Sequence, residues 1–231
     1  IELVPVIILI LSFVILLILG VPVAWSIAIS SLLTLMVAMP FSAATTTISQ
    51  RIATGLDSFA LLAIPFFILS GQIMSRGGIA NRLISFAKTL VGFLPGGLAL
   101  INIVSAMLMG SIAGSAMASA SAMGTILGPE MEKEGYSKEF GAAVNITSST
   151  TGLIIPPSNT LIVYSLASSG VSISALFLAG YIPGILTGLL MMIVAMIWAK
   201  KNNYPVGKRS SIKEVAVKFI NALPSLLLLI I

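Results

Sequence analysis

Three long stretches of this chain carry no charged side chain at all: residues 3–50, 89–129 and 140–199. Each is long enough to hold two spans of roughly 20 apolar residues. Across its 231 residues the chain is 58% hydrophobic and 8% charged. A soluble domain has about 45–50% apolar and about 25% charged residues, so the charges here cannot clothe a water-facing globule. The apolar excess equally excludes disorder. The composition describes an all-α, polytopic membrane protein.

Missing residue types narrow the chemistry. Cysteine is absent, which removes disulfides, thiolate nucleophiles and Cys metal sites. Histidine is absent too, which removes Ser-His-Asp catalysis, haem ligation by His and the usual zinc sites. An enzyme is not expected. The net charge of +5 does not point to nucleic acid. The basic residues sit between apolar runs with no interleaved aromatics, as orientation signals do. The chain opens Ile1-Glu2-Leu3, without the basic leader of a signal peptide, and stops inside an apolar run. Both ends fit a piece of a longer protein.

Breaks in the apolar runs divide the chain. Residues 1–75 read as transmembrane helices. The spans are expected over 3–19 and 22–39, separated at Gly20-Val21-Pro22, and over 57–75, capped by Asp57 or Ser58 and interrupted by Pro65. A polar loop or short surface helix fills 40–56. Residues 76–96 place Arg76, Arg82 and Lys88 among Ile79, Leu83, Ile84, Phe86 and Ala87. That pattern predicts an amphipathic interfacial arm helix, or an ordinary cytoplasmic linker helix. Residues 97–199 read as a re-entrant hairpin over 97–128, a broken helix over 138–169 and one long helix over 175–199. A cytoplasmic loop follows over 200–218, and 219–231 begins the next transmembrane helix.

The hairpin divides around Gly110-Ser111-Ile112-Ala113-Gly114-Ser115, leaving arms of about 13 residues at 97–109 and 116–128; apolar pieces of 10–14 residues suit re-entrant segments. The broken helix contains the adjacent prolines Pro156 and Pro157, which a continuous helix cannot hold without losing backbone hydrogen bonds. Its halves are expected at 138–151 and 158–169. Charge agrees with a hairpin. Placing the cluster Lys200, Lys201, Lys208, Arg209, Lys213 and Lys218 in the cytoplasm brings every multiply basic loop to that side only if 97–128 enters and returns. Two complete crossings would preserve the same parity, and the short arms favour the hairpin.

Irregular backbone at membrane depth is tolerated only beside protein or a water-filled cavity. The helix ends it exposes bind ions: carbonyls suit Na⁺, and N–H groups suit an anion. The hairpin tip offers Ser111, Ser115 and the carbonyls around Gly114. The broken helix offers Ser148, Ser149, Thr150, Thr151 and the Gly152 carbonyl, and Ser158-Asn159 starts a new half-helix. Neither element carries a membrane-embedded carboxylate or Lys, so a proton relay is poorly supported. A cage of neutral oxygens fits Na⁺. The alternative for these small residues is close helix packing, which is the better reading for Ala116, Ala118, Ala120 and Ala122.

The run Ile64-Pro65-Phe66-Phe67-Ile68-Leu69-Ser70-Gly71, the tip GSIAGSAMASASAMG at 110–124, Gly135-Tyr136, SSTTGLIIPPSN at 148–159 and FLAGYIPG at 177–184 resemble the large membrane (M) subunit of TRAP, or tripartite ATP-independent periplasmic, transporters. The resemblance covers nearly the whole chain, in order. It implies an elevator-type, Na⁺-driven secondary transporter of organic carboxylates, a sialic or sugar acid or a C4-dicarboxylate, in the bacterial inner membrane. It further implies a periplasmic substrate-binding protein, a small four-helix (Q-type) membrane subunit and two inverted repeats, of which this chain matches the N-terminal one. By position, Ser111, Gly114, Ser115, Ser148, Ser149 and Gly152 would hold Na⁺, and Pro157, Ser158 and Asn159 would lie beside the substrate. Family members often carry an acidic residue after the tip, where this chain has Ser119. No organic cofactor is implied. The alternatives are an ion channel, since re-entrant loops also line filters, or a Na⁺-coupled carboxylate transporter working without a binding protein.

Overall fold

Helix accounts for every named element among the described residues of the computed structural model, which are 3–57, 59–168 and 170–227. The chain divides into two compact units, Ile1–Phe59 and Ala60–Ile231.

The first unit contains α1 (Leu3–Ile18), α2 (Val23–Ala38) and α3 (Phe41–Leu56). Gly20, at φ 78°, turns the chain between α1 and α2, which pack side by side. Pro22 and Pro40 precede α2 and α3 as their N-cap residues. There the missing N–H costs no intrahelical hydrogen bond. The helices over 3–19 and 22–39 stand where the sequence puts them. At 16 residues each they rise only ~24 Å, short of the roughly 20 residues that cross the hydrocarbon. Residues 40–56 form helix rather than loop. Asp57 does not start the next helix; it ends α3, its N–H bonded to the Ala53 carbonyl at 3.1 Å. The other expected cap, Ser58, lies outside the described residues, as do Ile1, Glu2 and 228–231.

The second unit begins with α4 (Phe59–Arg76), which carries Pro65 inside it, and α5 (Ile79–Val91). The helices α6 (Gly97–Ala113) and α7 (Ala116–Lys133) follow, then α8 (Lys138–Ser149), a 3₁₀ turn at Thr150–Leu153, α9 (Asn159–Ala167), α10 (Ile173–Lys201) and α11 (Ile212–Leu226). α6 is the centre: it touches α5, α7, α8, the 3₁₀ turn and α10. Leu100, Ile103 and Met109 of α6 bury fully against Leu83 of α5 and Met123, Leu127 and Met131 of α7.

α10 has 29 residues and, among the described residues, is the one helix long and apolar enough to span a membrane unaided. Small side chains let neighbours approach it. Gly180, Gly184 and Gly188 recur every fourth residue, facing the Ile154 carbonyl, Ile155 and Met107. A Cβ at any of them would overlap those atoms, which is the close helix contact that a small-residue stripe permits. At its other end Trp198 joins a ring cluster. Tyr136 stacks on Tyr204 with centroids 4.2 Å apart, and Phe140 lies 6.3 Å from Trp198.

The C-terminal expectation needs correcting. Residues 200–218 are not loop throughout, and the last helix does not begin at 219. The connection is short and α11 starts at Ile212. Lys213, Glu214 and Lys218 share α11 with apolar residues that pack on α5, where Phe219 meets Phe86 at 5.6 Å. The amphipathic pattern wins here because α5 supplies a partner face.

Candidate functional site

The hairpin turns at a single residue. α6 ends where Gly114 takes the left-handed conformation, φ 60°, and donates its N–H to the Gly110 carbonyl at 2.8 Å. Few residues other than glycine adopt that conformation without strain. Ser115 then caps α7, its Oγ accepting the Ala118 N–H at 3.4 Å. The arms exceed the expected 13 residues, at 17 and 18. Helix length therefore does not by itself separate a hairpin from two crossings, and the packing of the tip has to decide.

That packing joins the two interruptions. Gly110 and Gly152 meet backbone to backbone; a Cβ on Gly152 would lie 2.7 Å from the Gly110 Cα, and one on Gly110 would overlap Gly152 in turn. One turn further on, a Cβ on Gly114 would sit 2.9 Å from the Pro157 carbonyl oxygen. The Gly114 carbonyl accepts the Asn159 N–H at 3.4 Å. The tip is thus wedged between the 3₁₀ turn and the start of α9, not projecting into solvent. α4 reaches the same place, with Gly71 against Ala113.

The broken helix unwinds where expected. α8 gives way to the 3₁₀ turn after Ser149, a cis peptide joins Pro156 to Pro157, and α9 restarts at Asn159. Ser158 is its N-cap: Oγ accepts the Leu161 N–H at 3.3 Å and donates to the Leu153 carbonyl at 2.6 Å. One hydroxyl therefore ties the unwound strand to the new helix.

Among the proposed cation ligands, Ser111, Gly114, Ser148, Ser149 and Gly152 are buried and Ser115 is half-buried. Most of their hydroxyl protons are taken. Ser111 Oγ donates to the Leu108 carbonyl at 2.7 Å, and Ser149 Oγ to the Asn145 carbonyl at 2.7 Å. Ser148 Oγ reaches Asn145 O and Asn102 Oδ1, both at 3.2 Å. Each hydroxyl oxygen keeps acceptor capacity. The last carbonyls of α6 have no intrahelical donors. No cluster of His, Cys, Asp or Glu that could hold a metal occurs among the described residues, so any cation here would be bound by neutral oxygens. For the substrate residues, Ser158 is buried, and Pro157 and Asn159 are half-buried against the tip.

Sequence reasoning missed an amide layer under the site. Asn102 of α6 hydrogen-bonds Ser148, and Asn145 of α8 donates to the Ala120 carbonyl of α7 at 2.8 Å. Asn102 Nδ2, Ser105 Oγ, Asn145 Oδ1 and Asn159 Oδ1 are buried without partners. The available signal was the lone Asn102 inside a charge-free helix, since polar groups at membrane depth are costly to bury. Ser119, at the position where an acidic residue is often found in the family it resembles, donates to the Ala106 carbonyl and fastens one arm to the other.

Comparison with known proteins places the chain. The family model "Tripartite ATP-independent periplasmic transporter, DctM component" matches residues 10–231. The chain belongs to the DctM family of TRAP transporters. It is 53% identical over 227 residues to the protein YgiK of Salmonella typhimurium, covering 98% of this chain and 52% of that one. It is 39% identical over 201 residues to the C4-dicarboxylate TRAP transporter large permease protein DctM of Vibrio cholerae, covering 85% and 44%. It is 35% identical over 209 residues to the sialic acid TRAP transporter permease protein SiaT of Haemophilus influenzae, covering 90% and 33%. These TRAP relatives named for a function are transport permeases, not enzymes, and the family makes this chain a membrane protein. The chain spans about half the length of YgiK and of DctM.

Proposed function

We propose that this chain forms the N-terminal repeat of the large membrane subunit of a Na⁺-coupled TRAP transporter in the bacterial inner membrane. It imports an organic acid anion, a sugar acid or a C4-dicarboxylate, delivered by a periplasmic substrate-binding protein. A small four-helix subunit braces it, and a second, inverted repeat completes the site. The reading rests above all on the docking of the hairpin tip at Gly110 and Gly114 against Gly152, Pro157 and Asn159.

The chemistry follows from the exposed helix ends. The α6 carbonyls beyond Gly110, with the Gly152 carbonyl and the hydroxyl oxygens of Ser111, Ser115, Ser148 and Ser149, supply neutral ligands for Na⁺. The positive end of α9, at Ser158 and Asn159, faces a substrate carboxylate. A cation held between tip and turn would pin the two together and hold the positive end of α9, with the Thr160 N–H its uncommitted first-turn donor, ready for the anion. Substrate and Na⁺ would then favour each other by linkage. With no titratable group at either interruption, 110–115 or 148–159, coupling to Na⁺ rather than H⁺ is the consistent choice. The hairpin and its broken helix would move together past the scaffold, as an elevator does.

Uptake by the complete transporter in proteoliposomes tests the proposal. Accumulation should require an inward Na⁺ gradient and the binding protein, and a pH gradient alone should not drive it. Transport indifferent to Na⁺ would overturn it.

A further inference from the structure

A cavity of about 440 Å³ opens between α5, the turn into α6 and the segment leading from α10 to α11. It lies away from the hairpin tip and contributes nothing to the cation site. Four cations line it, Lys88, Lys208, Arg209 and Lys218, with the carboxylates Glu134 and Glu214. The single ion pair among the described residues joins Lys138 to Glu132, so none of these four pairs directly with Glu134 or Glu214, and the lining keeps an excess of two positive charges.

The walls are fixed by backbone, not by mobile side chains. The Gly207 N–H donates to the Gly92 carbonyl at 3.2 Å, and Pro95 pairs with Val206. This clasp holds Lys208 and Arg209 over the cavity, and Arg209 sits 5.5 Å from the Phe93 ring. The floor includes Gly97 and Leu98, the first residues of α6. Gly96 is the N-cap of their helix and makes no side-chain cap, so the positive end of the helix dipole adds a second source of positive potential.

Position decides what such a site would hold. The clasped segment follows directly on α10, the spanning helix, which ends in Trp198, Lys200 and Lys201 with Lys201 over the Trp198 ring. Tryptophan and lysine at a span end mark the membrane boundary, and the amphipathic pair α5 and α11 flanks the cavity there. We propose that this cavity binds the phosphate headgroup of an anionic phospholipid, with Lys88, Lys208, Arg209 and Lys218 as its counter-charges and the positive end of α6 behind them. Basic pockets at this level between membrane helices suit such headgroups. Occupancy would fasten α5 and α11 to the leaflet, so the site acts as an anchor for the arm.

The test uses the complete transporter in phosphatidylcholine nanodiscs, titrated with phosphatidylglycerol and read by native mass spectrometry. Wild type should retain phosphatidylglycerol. The combined variant Lys88→Gln, Lys208→Gln, Arg209→Gln and Lys218→Gln should bind it about tenfold or more weakly. Lys88→Arg with Lys208→Arg should retain binding, as should Lys133→Gln with Lys138→Gln, which lie outside the cavity. Should the combined variant fail to fold, Arg209→Gln alone should lose about fivefold. Unchanged lipid binding in the folded combined variant, or in Arg209→Gln, would overturn the proposal. Inorganic phosphate or glycerol phosphate displacing the lipid at equal affinity would assign the cavity to a soluble phosphate and overturn it as well.

Discussion

α1 and α6 differ by one residue in length and both are apolar, yet α1 buries none of its side chains and α6 buries all but three of its residues. Hydrophobicity does not explain the difference, since the exposed α1 is the more apolar of the two. Side-chain size does. α1 is Leu, Ile, Val and Phe with one Pro and one Ser; α6 places Gly, Ala or Ser at seven positions. In lipid, large aliphatic side chains gain nothing by leaving the hydrocarbon, whereas small ones let backbones meet. α6 is therefore the helix around which the second unit closes, and its small residues also bring Gly110 to Gly152.

Substitutions along the two helices should separate sharply. Gly110→Leu is expected to abolish uptake and folded yield, because it drives a side chain into the Gly152 backbone. Gly110→Ala already overpacks that contact and should cost about 1–3 kcal/mol, read as a lowered Tm and uptake below about a tenth of wild type. Full uptake by Gly110→Ala would break the account of the tip. Leu100→Ala, at a fully buried α6 position, should cost about 2–5 kcal/mol. Ser158→Ala removes both the α9 cap and the tie to Leu153. About 1 kcal/mol should go with the cap, and half-maximal uptake should move to higher substrate concentration.

The smallest effects are expected away from α6. Burial pushes the Tyr136 phenol up to about 12. Its ordinary value is near 10, so burial favours the neutral form. Stability from this group is fully present below pH 10 and is lost as pH rises from 10 towards 12. Tyr136→Phe should remove that decline between pH 10 and 12, read as the unfolding midpoint against pH, and leave the midpoint below pH 10 with the same pH dependence as wild type. Ile10→Ala, on exposed α1, should change stability by less than about 0.5 kcal/mol. A loss there as large as at Leu100 would erase the contrast between the helices.

The sequence announced its interruptions more clearly than its ends. Pro156 and Pro157 cannot be helical together, and Gly110 to Ser115 concentrates small residues, so both breaks were legible locally. Helix limits depended on partners. The Asp57 carboxylate suits the N–H groups of a following helix, yet the residue closes α3 through its backbone N–H, and α11 begins at Ile212 because α5 offers a face for Phe219. The Gly110–Gly152 contact and the Asn102–Ser148 bond join residues more than forty positions apart, and spacing carries no record of such pairs. Ser115 and Ser158 illustrate a second limit: a serine read as a ligand is also a helix cap, and composition cannot weigh the two roles.

The central claim is that a cation sits between the hairpin tip and the broken helix. The chain has no cysteine, so Ala116→Cys introduces a single thiol into it beside the tip without replacing a proposed ligand. Maleimide labelling of that thiol in the complete transporter, followed against rising Na⁺ at constant ionic strength, should slow to a saturating limit. K⁺ or choline should leave it unchanged. Labelling that proceeds at one rate whatever the Na⁺ concentration would contradict the account.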